Sequence, residues 1–347
     1  MATIYNDMTN NADIQRELNE WTLPHVEKTQ VAPQELAKIT AGYAIEQHQW
    51  TDYHHFASMT SNPDIKRLFT QIGAQEEEHL AMMGSLTDPD TTPLEASLAL
   101  EMTAVTGFTE AAQVEPNQTC KSVYDYILYD HLTQTKAIAD IASQVGTNPQ
   151  GVIKNHIEVR RGRPLDKQFV PTDDLMKPHL NKDGDDIMSF VNLHMLLAAE
   201  ESLHNELQLF RRMLPSYVAR RLYSMINAIE TLHASMLESL DDPNATPLER
   251  AMINEMAEIR THQLGAHMAK DANAKRAHEY ALRQDEQHLS WLRDTYSNVE
   301  HKDSAKYAPN MQKLFAPPQM PANDYINQVM QTQVNIMPRG MGFEKAA

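Results

Sequence analysis

The chain carries a single cysteine, Cys120, among its 347 residues. One thiol closes no internal disulfide and builds no Cys-rich zinc or iron–sulfur site. Basic side chains are outnumbered, 30 Lys and Arg against 47 Asp and Glu, which leaves a formal net charge of −17. A duplex-binding surface needs a basic patch, so no nucleic-acid partner is expected. Glycine is scarce at 11 residues and aromatics make up only 7%. With 20 methionines, that mix favours helix over sheet. No apolar run approaches the roughly 18 residues of a membrane span. The opening MATIYNDMTNNADIQ lacks the basic start and apolar stretch of a signal peptide. The expectation is a cytoplasmic chain without membrane contact.

What is present is a repeat. SLTDPDTTPLEASLALEM (85–102) returns as SLDDPNATPLERAMINEM (239–256), an offset of 154 that runs without a gap over a long stretch. Glu46 falls on Glu200, Glu76 on Glu230, His79 on His233 and Glu101 on Glu255. A short gap then brings His131 onto His288. Each unit reads as four helices, near 34–59, 63–84, 92–112 and 119–145, and near 186–212, 215–240, 246–270 and 272–297. Asn62-Pro63 is a cap followed by proline at the first helical position. Thr92-Pro-Leu-Glu95 and Thr246-Pro-Leu-Glu249 read as capping boxes. Short links between long helices imply antiparallel neighbours, hence one four-helix bundle per unit. The expected organisation is an N-terminal extension (1–33), bundle 1 (34–146), a connector (147–185), bundle 2 (186–298) and an extended C-terminal tail (299–347). The connector holds TNPQG, the cluster Arg160, Arg161 and Arg163, and FVPTDD. Its arginines read as surface groups or salt-bridge anchors, with anion binding as the alternative.

Residues three or four apart share a helix face, so Glu-x-x-His aims a carboxylate and an imidazole at one place. Carboxylate-bridged two-metal bundles need a Glu from each of two helices and Glu-x-x-His from each of the other two. The second unit offers Glu200, then Glu230-x-x-His233, then Glu255 and Glu258, then Asp285-x-x-His288. Its five carboxylates nearly cancel two divalent cations, whereas unpaired buried charge is very costly. Glu201-x-x-His204 is a competing register, but the gapless offset makes Glu200 the counterpart of Glu46. His262, one turn after Glu258, is a candidate additional ligand. His48, His54 and His55 read as surface groups or as neighbours of the ligands. Tyr53 reads as core, with a place lining the cavity as the alternative.

AIEQHQWTDYHHFA, with Glu46, Tyr53, Phe56 and Ala57, and AQEEEHLAMM, with Glu76 and His79, resemble the first helix pair of rubrerythrins in the ferritin-like superfamily. Glu255-x-x-Glu258 and Asp285-x-x-His288 resemble that family's third and fourth helices. The resemblance covers both four-helix units but neither connector nor tail. It implies an all-α fold of two tandem ferritin-like bundles. It also implies a di-iron site in bundle 2 on Glu200, Glu230, His233, Glu255, Glu258, Asp285 and His288. Asp285 stands where the family has Glu, and the family's four-cysteine rubredoxin module is missing. Electrons must then come from an external donor or from substrate. Bundle 1 keeps Glu46, Glu76, His79, Glu101 and His131, with Ala104 and Leu128 in place of two carboxylates. That set is similar to the manganese catalases, which implies iron or manganese there. The function so implied is a non-haem di-iron oxidoreductase acting on H2O2 or O2, with Glu258 as the catalytic carboxylate that changes its binding mode. The alternatives are an oxygenase of a small organic substrate and metal storage without turnover. A homodimer is compatible with the pattern.

Overall fold

A computed structural model describes residues 21–147, 157–308 and 314–333. The opening MATIYNDMTNNADIQ, most of TNPQG and the closing NIMPRGMGFEKAA lie outside the described residues. Those described are helical with no strand. No helix among them is long and apolar enough to cross a membrane. Nine helices matter here: α1 (Pro33–Met59), α2 (Pro63–Ser85), α3 (Pro93–Val114), α4 (Gln118–Gln144), α5 (Ile187–Met213), α6 (Tyr217–Glu238), α7 (Pro247–Met268), α8 (Ala272–Thr295) and α9 (Ala322–Gln333).

The local punctuation explains where these helices start. The Asn62 side chain accepts from the backbone N–H of Asp64 and Ile65. Asn117, Asp186, Ser216 and Asp271 cap α4, α5, α6 and α8 in the same way. Thr92 with Glu95 and Thr246 with Glu249 form complete capping boxes, each followed by proline at the first turn.

Consecutive helices form four antiparallel hairpins, α1–α2, α3–α4, α5–α6 and α7–α8. The way the hairpins combine corrects the expected contiguous bundles 34–146 and 186–298. Hairpin α1–α2 packs against α7–α8, and α3–α4 packs against α5–α6. The inner helices α1, α3, α5 and α7 also touch across the centre and join the two groups. The chain therefore starts in one group, crosses to the other at 86–92, and returns at 239–246. Ligand spacing within a helix is local information; it does not say which hairpin faces which.

The crossing loops are held by straps that repeat with the same offset of 154. Leu23 N–H bonds Ser85 Oγ (2.9 Å) and Val26 N–H bonds the Leu86 carbonyl (2.9 Å). Lys177 N–H bonds Ser239 Oγ (3.1 Å) and Leu180 N–H bonds the Leu240 carbonyl (2.7 Å). Lys28 reaches Glu95 (3.1 Å) and Lys182 reaches Glu249 (2.6 Å), each on a capping-box glutamate. The extension and the connector thus each end in a strap, and the repeated unit begins before residue 34. Pro24-His25-x-x-Lys28 and Pro178-His179-x-x-Lys182 carry that signal in the sequence.

Within the connector, Arg163 is buried. It bonds Asp130 and lies over the Tyr126 ring, 3.8 Å from its centroid. Arg160 bonds Glu158 and Asn327. Both act as anchors. The tail is not wholly extended as expected: ANDYINQVMQTQ forms α9. Tyr325, Ile326 and Val329 give it one buried face against α3 and α4, and Tyr325 donates to Asp125 (2.6 Å).

Candidate metal centres

Two buried clusters of acidic and histidine side chains lie one in each helix group. Their membership corrects the expected ligand grouping. Glu255, Glu258, Asp285 and His288 are not joined by Glu200, Glu230 and His233. They meet Glu46, Glu76 and His79 instead, because α1–α2 faces α7–α8. Glu200, Glu230 and His233 meet Glu101 and His131. All twelve residues are buried, none more than 1% exposed.

In the first cluster Glu76 sits between two imidazoles. Its Oε2 lies 3.1 Å from His79 Nδ1 and its Oε1 lies 3.0 Å from His288 Nδ1. Glu46 Oε2 is 3.3 Å and Asp285 Oδ1 3.6 Å from His79 Nδ1. Glu255 Oε2 is 3.4 Å from His288 Nδ1, and its other oxygen accepts from the Tyr53 hydroxyl. Each histidine turns Nδ1 inward and donates from Nε2 to a glutamine of the facing hairpin. His79 bonds Gln284 Oε1 (3.1 Å) and His288 bonds Gln75 Oε1 (3.0 Å). Such outer partners fix the tautomer and orientation of a metal-ligating imidazole.

Glu258 and Asp285 have both oxygens buried without a hydrogen-bond partner. Burial, with the neighbouring Glu76, Glu255, Asp285 and Glu46, pushes Glu258 well above the usual carboxylate range. Asp285 is pushed up by burial as well, with His79 opposing and Glu46 adding to the shift. Glu46 rises to about 8 and Glu255 to about 7, again chiefly through burial. Burial also works against ionising Glu76, but His79 and His288 outweigh it and hold Glu76 below its ordinary value. Five carboxylates at one dry point repel one another. A bound cation would relieve that repulsion, and Glu76 with Glu255, Asp285 and His288, and Glu46 with Glu76 and His79, gather donors that could hold a metal ion.

His262 adds a third imidazole, with Nε2 2.8 Å from Glu46 Oε1. Its Nδ1 meets Nδ1 of the buried His278 at 3.1 Å. Burial, then His79, lowers His262 to about 3, so it is neutral. Gly265 makes room for this pair: a Cβ there would lie 2.4–2.5 Å from the His278 ring.

The second cluster is leaner. His131 Nδ1 is 3.0 Å from Glu101 Oε2, and its Nε2 is 2.7 Å from Glu200 Oε1. His233 Nδ1 is 3.2 Å from Glu230 Oε2 and 3.7 Å from Glu200 Oε2, and its Nε2 is 3.1 Å from Asp130 Oδ2. Ala104 and Leu128 are buried at the positions matching Glu258 and Asp285. Phe108, matching His262, stacks on His131 with ring centroids 5.5 Å apart.

Sequence reasoning missed Gln75, Gln284 and Asp130 as partners of these side chains; Tyr53, read as core with cavity lining as the alternative, is fully buried and has its hydroxyl on Glu255. A signal existed for the first pair: both motifs read Gln-acid-x-x-His, Gln75-Glu76-x-x-His79 and Gln284-Asp285-x-x-His288. The rival Glu201 lies outside both clusters and pairs with His48 at 2.7 Å. Comparisons with protein-family models, curated proteins and solved structures gave no match.

Proposed function

We propose that the first cluster is the catalytic centre of a non-haem di-iron oxidoreductase that reduces H2O2 or O2. Glu46, Glu76, His79, Glu255, Glu258, Asp285 and His288 hold the metals. The observation that carries this reading is the set of five fully buried carboxylates, with neither oxygen of Glu258 or of Asp285 in a hydrogen bond. Reduced iron bound there would supply electrons and Lewis acidity to an O–O bond. The protein's own groups have separate tasks. Glu76 spans the two imidazoles, and Gln75 and Gln284 hold each ring with Nδ1 toward the carboxylates. Tyr53 holds one oxygen of Glu255. Glu258 has no hydrogen bond to restrain it and is free to change how it binds. The packed helices exclude water. Taking H2O2 to two waters consumes two electrons and two protons, and an external reductant must supply the electrons.

A recess of about 40 Å³ between the helix groups is lined by Ala44, Ile45, Gly107, Ala199 and Thr261. None of the cluster's ligands lines it. An oxygenase acting on a small organic substrate is the second reading. Likeness to rubrerythrins and descent from a duplicated ferritin-like unit belong to this proposal and rest on the sequence motifs.

The test is metal analysis followed by anaerobic Fe(II) loading and mixing with H2O2 or O2. Wild type is expected to bind an iron pair that oxidises rapidly. Glu76→Ala should lose that pair, whereas Glu230→Ala should keep it. Wild type without bound iron, or loss of the reactive pair in Glu230→Ala alone, would overturn the assignment.

A further inference from the structure

The recess between the helix groups is walled by all four inner helices, α1, α3, α5 and α7, and no residue of either cluster lines it. Its ionisable lining groups are Lys38, Glu110 and Arg260. Lys38 and Glu110 pair at 3.0 Å and are partly exposed, which marks the solvent side. Arg260 is only 4% exposed and forms no ion pair among the described residues. It bonds from Nη1 to Asn192 Oδ1, and its Nε has no partner. The two carboxylates whose charge reaches it are already engaged. Glu110 holds Lys38, and Glu115 accepts from Ser189, from the Asn117 N–H (2.8 Å) and from Asn192 Nδ2 (2.8 Å). Asn192 thus stands between Arg260 and Glu115 and holds the guanidinium without neutralising it. The other buried arginine, Arg163, meets Asp130 directly. A buried charge without a partner is costly, so the lone Arg260 calls for an anion.

We propose that this recess is a binding site for a short aliphatic monocarboxylate, held by the Arg260 guanidinium. The wall's hydroxyls are spent on backbone: Thr103 donates to the Ala99 carbonyl (2.9 Å) and Thr261 to that of Ala257 (2.9 Å). Arg260 is therefore the buried donor left for a guest, and a guanidinium suits a carboxylate. Ala41, Ala44, Ile45, Leu196, Ala199 and Leu264 offer the hydrocarbon end an apolar wall. A volume of about 40 Å³ holds roughly three waters, which sets the guest near the size of acetate. One negative charge cancels the one unpaired positive charge. Sulfate or phosphate would turn further oxygens toward walls that cannot solvate them. Because α1 and α7 belong to one helix group and α3 and α5 to the other, a bound anion ties the groups together and stabilises the fold by mass action.

The test is equilibrium dialysis of radiolabelled acetate against the full chain, with no metal added and chloride keeping the ionic strength constant. Wild type is expected to bind one acetate per chain, saturably, and to melt at a higher temperature in acetate than in chloride. Arg260→Gln should weaken binding about 10- to 100-fold, as expected for loss of a charged hydrogen bond, and should lose the melting shift. Ala41→Leu, which fills the recess and leaves Arg260 in place, should lose both as well. No saturable binding by wild type, acetate held undiminished by either folded variant, or sulfate competing as well as unlabelled acetate overturns the proposal. Should circular dichroism show that Arg260→Gln has not folded, Ala41→Leu and the sulfate competition decide. No residue of either cluster is changed, so the outcome is independent of what the clusters hold.

Discussion

Gln75 lies on α2, four residues before His79, yet its carbonyl accepts from His288 on α8 at 3.0 Å. Gln284 lies four residues before His288 and serves His79 on α2 at 3.1 Å. Replacing Gln75 with Leu removes the acceptor from His288 Nε2 and leaves that N–H buried. Loss of an outer-shell partner lowers metal affinity about 10- to 100-fold, or roughly 1.4–2.8 kcal/mol. A chelator competition with Mn²⁺ or Fe²⁺ measures this directly. The discriminating experiment is a double-mutant cycle, since residues that touch couple by about 0.5–3 kcal/mol and distant ones add. Gln75→Leu should cost little more once His288 is Ala, but its full penalty when His79 is Ala. Gln284→Leu should show the mirror pattern. Coupling of Gln75 to His79 instead, or affinity unchanged in both glutamine variants, would refute the exchanged packing or the ligand role of these histidines.

Other outcomes follow from the same geometry. Gly265→Ala would put a Cβ 2.4–2.5 Å from the His278 ring, which is overpacking of about 1–3 kcal/mol and a lower Tm. Gly84→Ala meets only the Tyr43 ring at an ordinary 3.5 Å, so thermal melts should show it neutral or slightly stabilising. Burial works against ionising Glu249, but Lys182, Thr246 and Tyr296 outweigh it and hold Glu249 down to about 2. A lowered carboxyl adds stability above its unfolded value near 4.5, and that part is lost as pH falls toward 2. Glu249→Gln should therefore lower the urea midpoint at neutral pH, with the gap to wild type closing on acidification. Tyr53→Phe leaves a buried Glu255 oxygen without its donor and should cost about 1–3 kcal/mol in the apo protein, seen in urea melts.

Much of this was legible before any coordinates. Helix starts were written in Asn62, Thr92 and Thr246, because capping is decided within four residues. Each Glu-x-x-His pair was legible for the same reason, since an i, i+3 spacing fixes one face. The partition of those pairs was not. The α1–α2 and α5–α6 hairpins carry matching ligands, so spacing alone is satisfied whichever of them α7–α8 faces. The choice lies in how the hairpins pack against one another, which spacing within a helix does not report. The outer partners Gln75 and Gln284 were hidden because a glutamine on a helix surface is ordinary until the facing hairpin is known. In α9, the proline- and methionine-rich flanks masked the buried face of Tyr325, Ile326 and Val329.

The exchanged packing also sets an order of assembly. Helices α3 to α6 are consecutive, so the second cluster can close as soon as α6 has been synthesised. The first cluster waits for the end of the chain: the bond from His288 to Gln75 spans 213 residues. Until α7 and α8 arrive, α1–α2 has no partner for its ligand face, and Glu46 and Glu76 stay solvated and cheap to ionise. Contacts over such separations form late and slowly. The first cluster therefore cannot form on a truncated chain, and a product ending after α6 would carry the residues of the second cluster but lack over half of those of the first.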